Sequence, residues 1–226
     1  VETFGLSEGA DWQADRITFS PDGTTFNVLR GGRSFGAFFV PLVGSHNVCN
    51  ALAAIAVGAE VQIDPATLDQ ALRSFKGVSR RLEVLQMVGG VTIFDDFAHH
   101  PTAVHETLRA LRAACSEGRI WAIFEPRSAS SCRRIFQSEF ARAFEPADEV
   151  IIAAIYRSNL PDDQRLSVEQ LVADLLARGT RARYIPNVDE IVSTVAREKR
   201  SGDRVVIMST GGFGGMRAKI VEALRR

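Results

Sequence analysis

The feature that most constrains the fold of this sequence is a regular alternation of short apolar runs with helical patterns after residue 90. The apolar runs, which predict strands, cover residues 91–94, 120–124, 149–154, 181–185 and 205–208, and the predicted helices cover 101–111, 132–144, 167–176, 189–199 and 216–224. Strands that alternate with helices of this length form βαβ units, in which the strands run parallel. We therefore predict an α/β domain built on a mainly parallel sheet.

The residues before position 80 follow a different pattern. Polar and apolar residues alternate between Pro- and Gly-rich turns, which predicts a β meander within residues 1–43, with strands at 16–20, 24–30 and 35–40. Two helical patterns follow at 44–58 and 64–75, the second with Asp64 as its expected cap. Residues 82–85 are predicted to form a hairpin with the strand at 91–94. This change of pattern predicts two domains with a boundary near Arg80.

Composition excludes some classes of function. The 226 residues contain 27 basic and 27 acidic side chains, so long-range attraction to nucleic acid or to an anionic membrane gets no support. Cys49, Cys115 and Cys132 show no metal-ligand or redox spacing, which indicates reduced thiols in a cytoplasmic protein. No apolar run approaches the roughly 20 residues of a membrane span. The sequence begins at Val1 in mid-pattern, so we expect a fragment of a longer chain.

Two carboxylates and two imidazoles, Asp95, Asp96, His99 and His100, stand between a predicted strand and a helix that Pro101 opens. Ligands of open α/β sheets bind beyond the carboxyl ends of the strands, so this cluster is a candidate site. The acids could bind a metal or ribose hydroxyls, and the histidines could be ligands, acid–base groups or neutral donors. A solvated surface loop is the alternative. The Cys and His spacing predicts no tetrahedral metal site.

Two further segments are expected at the same edge of the sheet. Arg127 and Ser128 follow the strand at 120–124, where an arginine can bind a carboxylate through two parallel hydrogen bonds; a merely exposed arginine is the alternative. A glycine-rich loop follows the last predicted strand and includes Ser209, Gly211, Gly212 and Phe213. Its spacing departs from the dinucleotide motif, so a loop that approaches a ligand and a simple tight turn both stay open.

Polar pairs also occur near the predicted domain boundary and before it. Asn47 and Asn50 lie three residues apart and so share a face near the start of a helical pattern. Asn47 could simply cap that helix, whereas Asn50 lies one turn in and is not explained as a cap. Arg80 and Arg81 could bind phosphate or form an interdomain salt bridge with Glu83.

Two interpretations concern helices only. We interpret Arg133 and Arg134 as solvated residues of the helix predicted at 132–144. Ser167 and Gln170 have the spacing of a capping box, in which each side chain binds the other residue's backbone N–H. Neither pair is expected to take part in a site.

The order and spacing of three motifs resemble the second half of a Mur ligase, a family of ATP-dependent amide-bond-forming enzymes of bacterial peptidoglycan synthesis. The motifs are Gly44-x-His46-Asn47-x-x-Asn50-Ala51, Arg80-Arg81-x-Glu83 and Asp95-Asp96-Phe97-Ala98-His99-His100-Pro101. The resemblance implies a Rossmann-like C-terminal domain over residues 81–226. Residues 1–80 would be the β-meander and helix tail of the central ATPase domain.

The resemblance also implies roles for individual residues. For the nucleotide, it assigns adenine contacts to Asn47 and Asn50, the ribose contact to Asp96, and phosphate binding to Arg81. It assigns catalysis to Arg81 and, near the acyl phosphate and the incoming amine, to His99 and His100. The residues that would place the peptide are Arg127, Ser128, Ser209, Gly211, Gly212 and Phe213. The implied cofactors are ATP and Mg²⁺, with the metal ligands in an upstream part of the chain. The sequence contains no Gly-Lys-Thr phosphate loop, so we expect this polypeptide to be inactive alone.

Substrates and alternatives follow from finer similarities. The segments 95–101, 125–128 and 211–215 are most similar to family members that join UDP-N-acetylmuramate to the tripeptide L-alanyl-γ-D-glutamyl-meso-diaminopimelate in peptidoglycan recycling. The alternative within the family is a ligase for L-alanine, which typically has Tyr-Gly where this chain has Phe97-Ala98. An alternative of another class is a non-catalytic nucleotide-binding module, which would bind NAD at the glycine-rich loop.

Overall fold

The computed structural model describes residues 1–115, 117–156 and 159–225. The chain forms two compact units. The first unit comprises residues 1–77 and a short segment that begins at Ala110, and the second comprises residues 78–109 and the residues from Glu117 onwards. The family-based boundary between residues 80 and 81 stays a prediction. Among the described residues, no helix has the length and apolar character needed to cross a membrane.

The first unit is a small sheet covered by helices. Its elements are β1 (Phe4–Gly5), β2 (Trp12–Ser20), β3 (Gly23–Arg30), β4 (Arg33–Val40), α1 (Ser45–Glu60) and α2 (Pro65–Ser74). Strands β2, β3 and β4 are antiparallel neighbours, which confirms the predicted meander, and β1 adds a parallel edge strand that was not predicted. Asp64 caps α2 as expected, since its carboxylate accepts from the N–H groups of Ala66 and Thr67 at 3.0 Å.

The second unit contains the remaining strands and helices, except that the end of its first helix, from Ala110 onwards, belongs to the first unit. They are β5 (Glu83–Val88), β6 (Val91–Asp96), α3 (Pro101–Ala114), β7 (Ile120–Phe124), α4 (Gln137–Ala143), β8 (Glu149–Ile152), α5 (Val168–Ala177), β9 (Arg181–Tyr184), α6 (Val188–Glu198), β10 (Arg204–Met208) and α7 (Met216–Arg225). Short 3₁₀ turns precede α4 and α7. The predicted α/β class is confirmed.

The sheet of the second unit has the strand order β5-β6-β10-β7-β8-β9. All neighbours are parallel except β5, which forms the predicted hairpin with β6. The parallel register pairs Met208 with both Asp96 and Phe124, and pairs Phe124 with Ile152. The residues that follow these strand ends therefore emerge side by side at one edge.

The core of this sheet explains why its strands read as continuous apolar runs. Trp121, Ile123, Val205 and Ile207 are all 0% exposed. Parallel sheets bury both faces, because crossover helices cover each side. The acidic residues of the parallel strands accordingly lie at strand ends, and the candidate site lies at the carboxyl ends.

The helix predicted at 132–144 is shorter than expected. Arg133 has an extended backbone with φ −97° and ψ 139°, and the helix α4 starts only at Gln137. The reason is a tertiary interaction: Arg133 pairs with Arg165 in an antiparallel bridge, and Leu166 N–H donates to the Cys132 carbonyl at 2.9 Å. The interpretation of Arg133 as a helix residue is wrong.

The structure also bears on two capping interpretations, the alternative that Asn47 caps a helix and the capping box at Ser167. Helix α1 begins at Ser45 after Gly44, so Asn47 is not its cap; the Asn47 amide donates to the Val43 carbonyl at 2.9 Å. Only half of the capping box at Ser167 forms. The Ser167 hydroxyl accepts from Gln170 N–H at 3.2 Å, whereas the Ser167 N–H donates to the side chain of Gln137 at 3.0 Å.

Candidate functional site

The candidate site is built from loops at the carboxyl edge of the parallel sheet. Asp95 and Asp96 end β6, Glu125 follows β7 and Ser209 follows β10. Backbone hydrogen bonds continue the sheet past its regular end, from Glu125 N–H to the Met208 carbonyl at 3.0 Å and from Ser209 N–H to the Asp96 carbonyl at 3.2 Å. The structure thus brings together the three segments that the sequence placed at this edge.

Asp95 is the centre of a buried ionic cluster. Its carboxylate is only 2% exposed and lies 3.2 Å from Arg80 Nε and 2.7 Å from Arg217 Nε. Arg80 also donates to the Ser209 carbonyl, and Arg217 donates to the Gly211 carbonyl at 3.0 Å. Because both arginines bind Asp95 and the glycine-rich loop at once, they hold that loop against the end of β6. Sequence analysis missed Arg217.

Asp96 fixes the turn that follows β6. One carboxylate oxygen accepts from Leu82 N–H at 2.6 Å, and the other accepts from Ala98 N–H at 2.7 Å. Burial raises the pKa of Asp96 above its usual 3.8, opposed by these hydrogen bonds and by the charge of Arg81. A carboxylate has about four acceptor sites. Any contact of Asp96 with a ribose therefore has to use the acceptor sites that remain.

The segment before β5 presents Arg81 to solvent. The Arg80 carbonyl accepts from Phe97 N–H at 2.8 Å, so the segment is tied to the turn after β6. The guanidinium carbons of Arg80 and Arg81 lie 5.0 and 5.8 Å from the centre of the Phe97 ring. Arg81 is exposed and forms no salt bridge with a described residue. The Glu83 carboxylate instead accepts from the backbone N–H of Arg80 at 2.7 Å, so a side-chain salt bridge to Glu83 does not form.

The two histidines have different hydrogen-bond partners. His99 Nδ1 lies 2.9 Å from the Phe97 carbonyl, which can only accept, so in the neutral ring Nδ1 carries the proton and Nε2 keeps a lone pair. His100 Nδ1 accepts from Thr102 N–H at 3.4 Å, so in the neutral ring Nε2 carries the proton. One imidazole can thus accept a proton at Nε2 while the other donates a hydrogen bond there.

Arg127 is held in place by three neighbours. Its guanidinium carbon lies 3.4 Å from the centre of the Tyr156 ring, and Nη1 lies 3.7 Å from Glu125 Oε1. A Cβ added to Gly211 would come within 2.3 Å of Arg127 Nε, so the glycine permits this close contact. Glu125 is positioned in turn by Ser209, whose hydroxyl donates to its carboxylate at 2.5 Å. Tyr156 was not identified from the sequence, because nothing local links it to Arg127.

Ser128 belongs to a small network of hydroxyl groups. The buried Ser131 hydroxyl accepts from the N–H groups of Arg127 at 3.0 Å and Ser128 at 2.9 Å, and it also receives the Ser128 hydroxyl at 2.8 Å. This network orders the loop after β7. A cavity of about 210 Å³ lies beside it, between the loop 127–133 and residues 159–160.

The remaining predicted contacts differ in accessibility. Gly212 is exposed, whereas Phe213 is 2% exposed and packs in the core of the second unit. Any contact between Phe213 and a peptide would therefore involve its backbone. Asn47 and Asn50 lie on α1 of the first unit, where Asn47 is half-buried and Asn50 is exposed.

The acidic residues at the carboxyl edge of the sheet are not arranged to bind a metal ion. In the second unit, the exposed guanidinium of Arg81 is suited to an anionic group such as a phosphate. Asp95 is engaged by two arginines and Asp96 by backbone N–H groups, so neither is arranged as a ligand of Mg²⁺. No group of three His, Cys, Asp or Glu side chains suited to a metal occurs among the described residues.

Comparison with known proteins gives consistent matches for both units. Residues 80–211 match the Mur ligase, glutamate ligase domain, and residues 1–58 match the Mur ligase middle domain. The chain is 36% identical over 223 residues to the UDP-N-acetylmuramate–L-alanine ligase of Caldanaerobacter subterraneus subsp. tengcongensis, covering 98% of this chain and 48% of that protein.

Two further comparisons extend this result. The chain is 36% identical over 222 residues to the Escherichia coli UDP-N-acetylmuramate–L-alanyl-γ-D-glutamyl-meso-2,6-diaminoheptandioate ligase, covering 98% of this chain and 46% of that protein. The solved UDP-N-acetylmuramate–alanine ligase of Thermotoga maritima shares the fold, with a TM-score of 0.82 at 23% identity over 98% of this chain and 47% of that chain. The chain spans about half the length of the curated relatives it matches. Since the match to the glutamate ligase domain covers more than half of the sequence, the chain belongs to the Mur ligase family.

Proposed function

We propose that the full-length protein is an ATP-dependent ligase that joins UDP-N-acetylmuramate to the tripeptide L-alanyl-γ-D-glutamyl-meso-diaminopimelate. The observation that carries this proposal is the fixed guanidinium of Arg127 at the carboxyl edge of the sheet, between Glu125 and Tyr156. A peptide acceptor with several carboxylates suits such a group better than a single small amino acid does. The E. coli relative, named as a ligase for this tripeptide, supports the same acceptor.

In the proposed reaction, ATP when bound supplies a phosphoryl group to the muramate carboxylate, and the peptide amine then displaces phosphate to form the amide. Arg81, exposed and without a salt bridge to a described residue, would stabilise the negative charge of the phosphates. His99 Nε2 would accept a proton from the amine, and His100 Nε2 would donate a hydrogen bond to the acyl phosphate. The hydrogen-bond partners of the two Nδ1 atoms support these roles.

The other roles concern binding. We propose that Asn47 and Asn50 contact adenine and that Asp96 contacts the ribose. Arg127 and Ser128, together with the loop that contains Ser209, Gly211, Gly212 and Phe213, would place the peptide. Mg²⁺ would be held by residues other than Asp95 and Asp96, because these two acids are already engaged. The cytoplasmic location stays a prediction.

The proposal is tested by measuring ADP release from the full-length protein with UDP-N-acetylmuramate and either the tripeptide or L-alanine. We expect the tripeptide to give a kcat/KM at least about tenfold higher, equivalent to about 1.4 kcal/mol of transition-state binding. Turnover with L-alanine as acceptor and none with the tripeptide would reject the tripeptide assignment.

A second candidate function is the ligation of L-alanine, which the Caldanaerobacter relative favours at the same identity of 36%. The two acceptors are distinguished by the measurement above. A non-catalytic NAD-binding module is less well supported, since Gly211 packs against Arg127 and Phe213 packs in the core. Tight NAD binding in a fluorescence titration would favour that alternative.

We also predict that residues 1–226 alone release no ADP under the same conditions, because the sequence has no Gly-Lys-Thr phosphate loop. Appreciable turnover by this polypeptide would contradict that prediction.

A further inference from the structure

The cavity beside the loop after β7 has an unusual charge. Its volume is about 210 Å³, and its described lining residues include Arg127 and Arg133 but no acid. Cys132 and Leu160 contribute apolar surface to the same cavity. A ligand that fills such a space combines an aliphatic stem with a terminal carboxylate.

The two arginines differ in how they are held. Arg127 is fixed by Tyr156 and Glu125, and its side chain is 25% exposed. Arg133 has a fixed backbone, because its N–H donates to the Ser130 carbonyl at 3.0 Å and its chain pairs with Arg165. Its side chain is exposed and forms no salt bridge with any residue that the structure describes. The charge of Arg133 is therefore available at the rim of the cavity.

The third residue of the proposed acceptor has the chemistry that this cavity requires. The aliphatic chain of diaminopimelate ends in a carbon that bears an amino group and a second carboxylate, and lysine has the same chain and amino group without that carboxylate. A guanidinium at the end of an apolar cavity would distinguish the two through a charge-assisted hydrogen bond. Arg133 also lines a neighbouring opening, together with Arg134 and Asp163, whereas Arg134 is not among the described lining residues of this cavity.

We propose that Arg133 is a specificity-determining residue, which binds the distal carboxylate of the acceptor's third residue at the cavity beside Arg127. This proposal rests on the proposed function and deepens it, because it names the part of the peptide acceptor that the cavity recognises. The amine that reacts lies at the other end of the tripeptide, so Arg133 contributes to selection and not to the bond-forming step.

The test compares two acceptors in the full-length protein, the tripeptide that ends in diaminopimelate and its analogue that ends in lysine. The wild-type protein is expected to prefer diaminopimelate. Arg133→Ala should lower the ratio of the two kcat/KM values about tenfold, through a higher KM for the diaminopimelate peptide with kcat little changed. Arg133→Lys should keep part of the preference, since it retains the charge but not the planar fork.

The matched control is Arg200→Ala, an exposed arginine that precedes β10 and so lies at the opposite edge of the sheet. It should leave the ratio unchanged. An equal loss for both peptides in Arg133→Ala would indicate a structural role and overturn the proposal, as would equal use of the two peptides by the wild type. If the wild type uses L-alanine and neither peptide, the proposed function fails and this inference fails with it.

Discussion

At the scale of single residues, Gly211 has a steric role that its backbone conformation does not reveal. Its φ lies outside the left-handed region, so an alanine there is not strained by the backbone. The constraint is the guanidinium of Arg127, which a Cβ would approach to 2.3 Å. Gly211, which follows β10, is therefore required for close packing against Arg127, which follows β7.

We predict that Gly211→Ala displaces Arg127 and raises the KM for the tripeptide about tenfold, while the fold is retained. The displacement can be followed by the NMR resonance of the Arg127 Nε–H group. Gly212→Ala is the matched control for that resonance, since a Cβ there meets nothing within 4 Å. An unshifted resonance in Gly211→Ala would show that the contact is not constraining.

Asp96 gives a prediction about pH. Burial raises its pKa in the folded protein, so the folded state binds its proton more tightly than the unfolded state does. The corresponding contribution to the free energy of unfolding is fully present below the unfolded pKa and is lost as pH rises through the raised pKa. The ¹³C resonance of the Asp96 carboxyl should titrate above 3.8. A midpoint at or below this value would contradict the prediction.

At the scale of elements, the position of helix α7 depends on a buried ion pair at its first turn. Arg217 joins Asp95 at the end of β6 and the Gly211 carbonyl, so it connects helix, strand and loop. Lys219 lies on the same helix but forms an exposed pair with Asp189. Substitutions of Arg217 and Lys219 therefore compare a buried ion pair with a solvated one on the same helix.

We expect Arg217→Ala to lower the free energy of unfolding by roughly 1–3 kcal/mol, less than for a fully buried pair because the Arg217 side chain is 25% exposed. Lys219→Ala should cost roughly 0–1 kcal/mol, as is typical of exposed pairs. Denaturant unfolding of both variants measures the difference. Equal losses would mean that the cluster around Asp95 contributes no more than a surface pair.

At the scale of the whole molecule, the contacts of Arg80 indicate where the second unit starts. Arg80 is bound to Asp95 and Ser209, and its carbonyl is bound to Phe97, so the structure places it with the second unit. We predict that a polypeptide starting at Val78 unfolds at a higher temperature than one starting at Leu82, because the shorter one loses these contacts. Circular dichroism melting of both polypeptides measures this, and identical melting temperatures would contradict it.

The sequence by itself determined the elements of this protein, because strand and helix patterns are local and repeat along the chain. The strand end at Phe124, the start of α3 at Pro101 and the cap at Asp64 could all be predicted in this way, whereas β6 runs two residues past its predicted end at Phe94. The β6–α3 and β7 segments could also be placed at one edge of the sheet, since parallel strands end together.

Only the tertiary structure decided which side chains meet. Strand β10 lies between β6 and β7, and this order brings Arg217 to Asp95 and Gly211 to Arg127 across more than 80 residues of chain. The pairing of Arg133 with Arg165 likewise overrode a local helical pattern. Such contacts depend on strand order and on hydrogen bonds between distant segments, and neither leaves a periodic signal in the sequence.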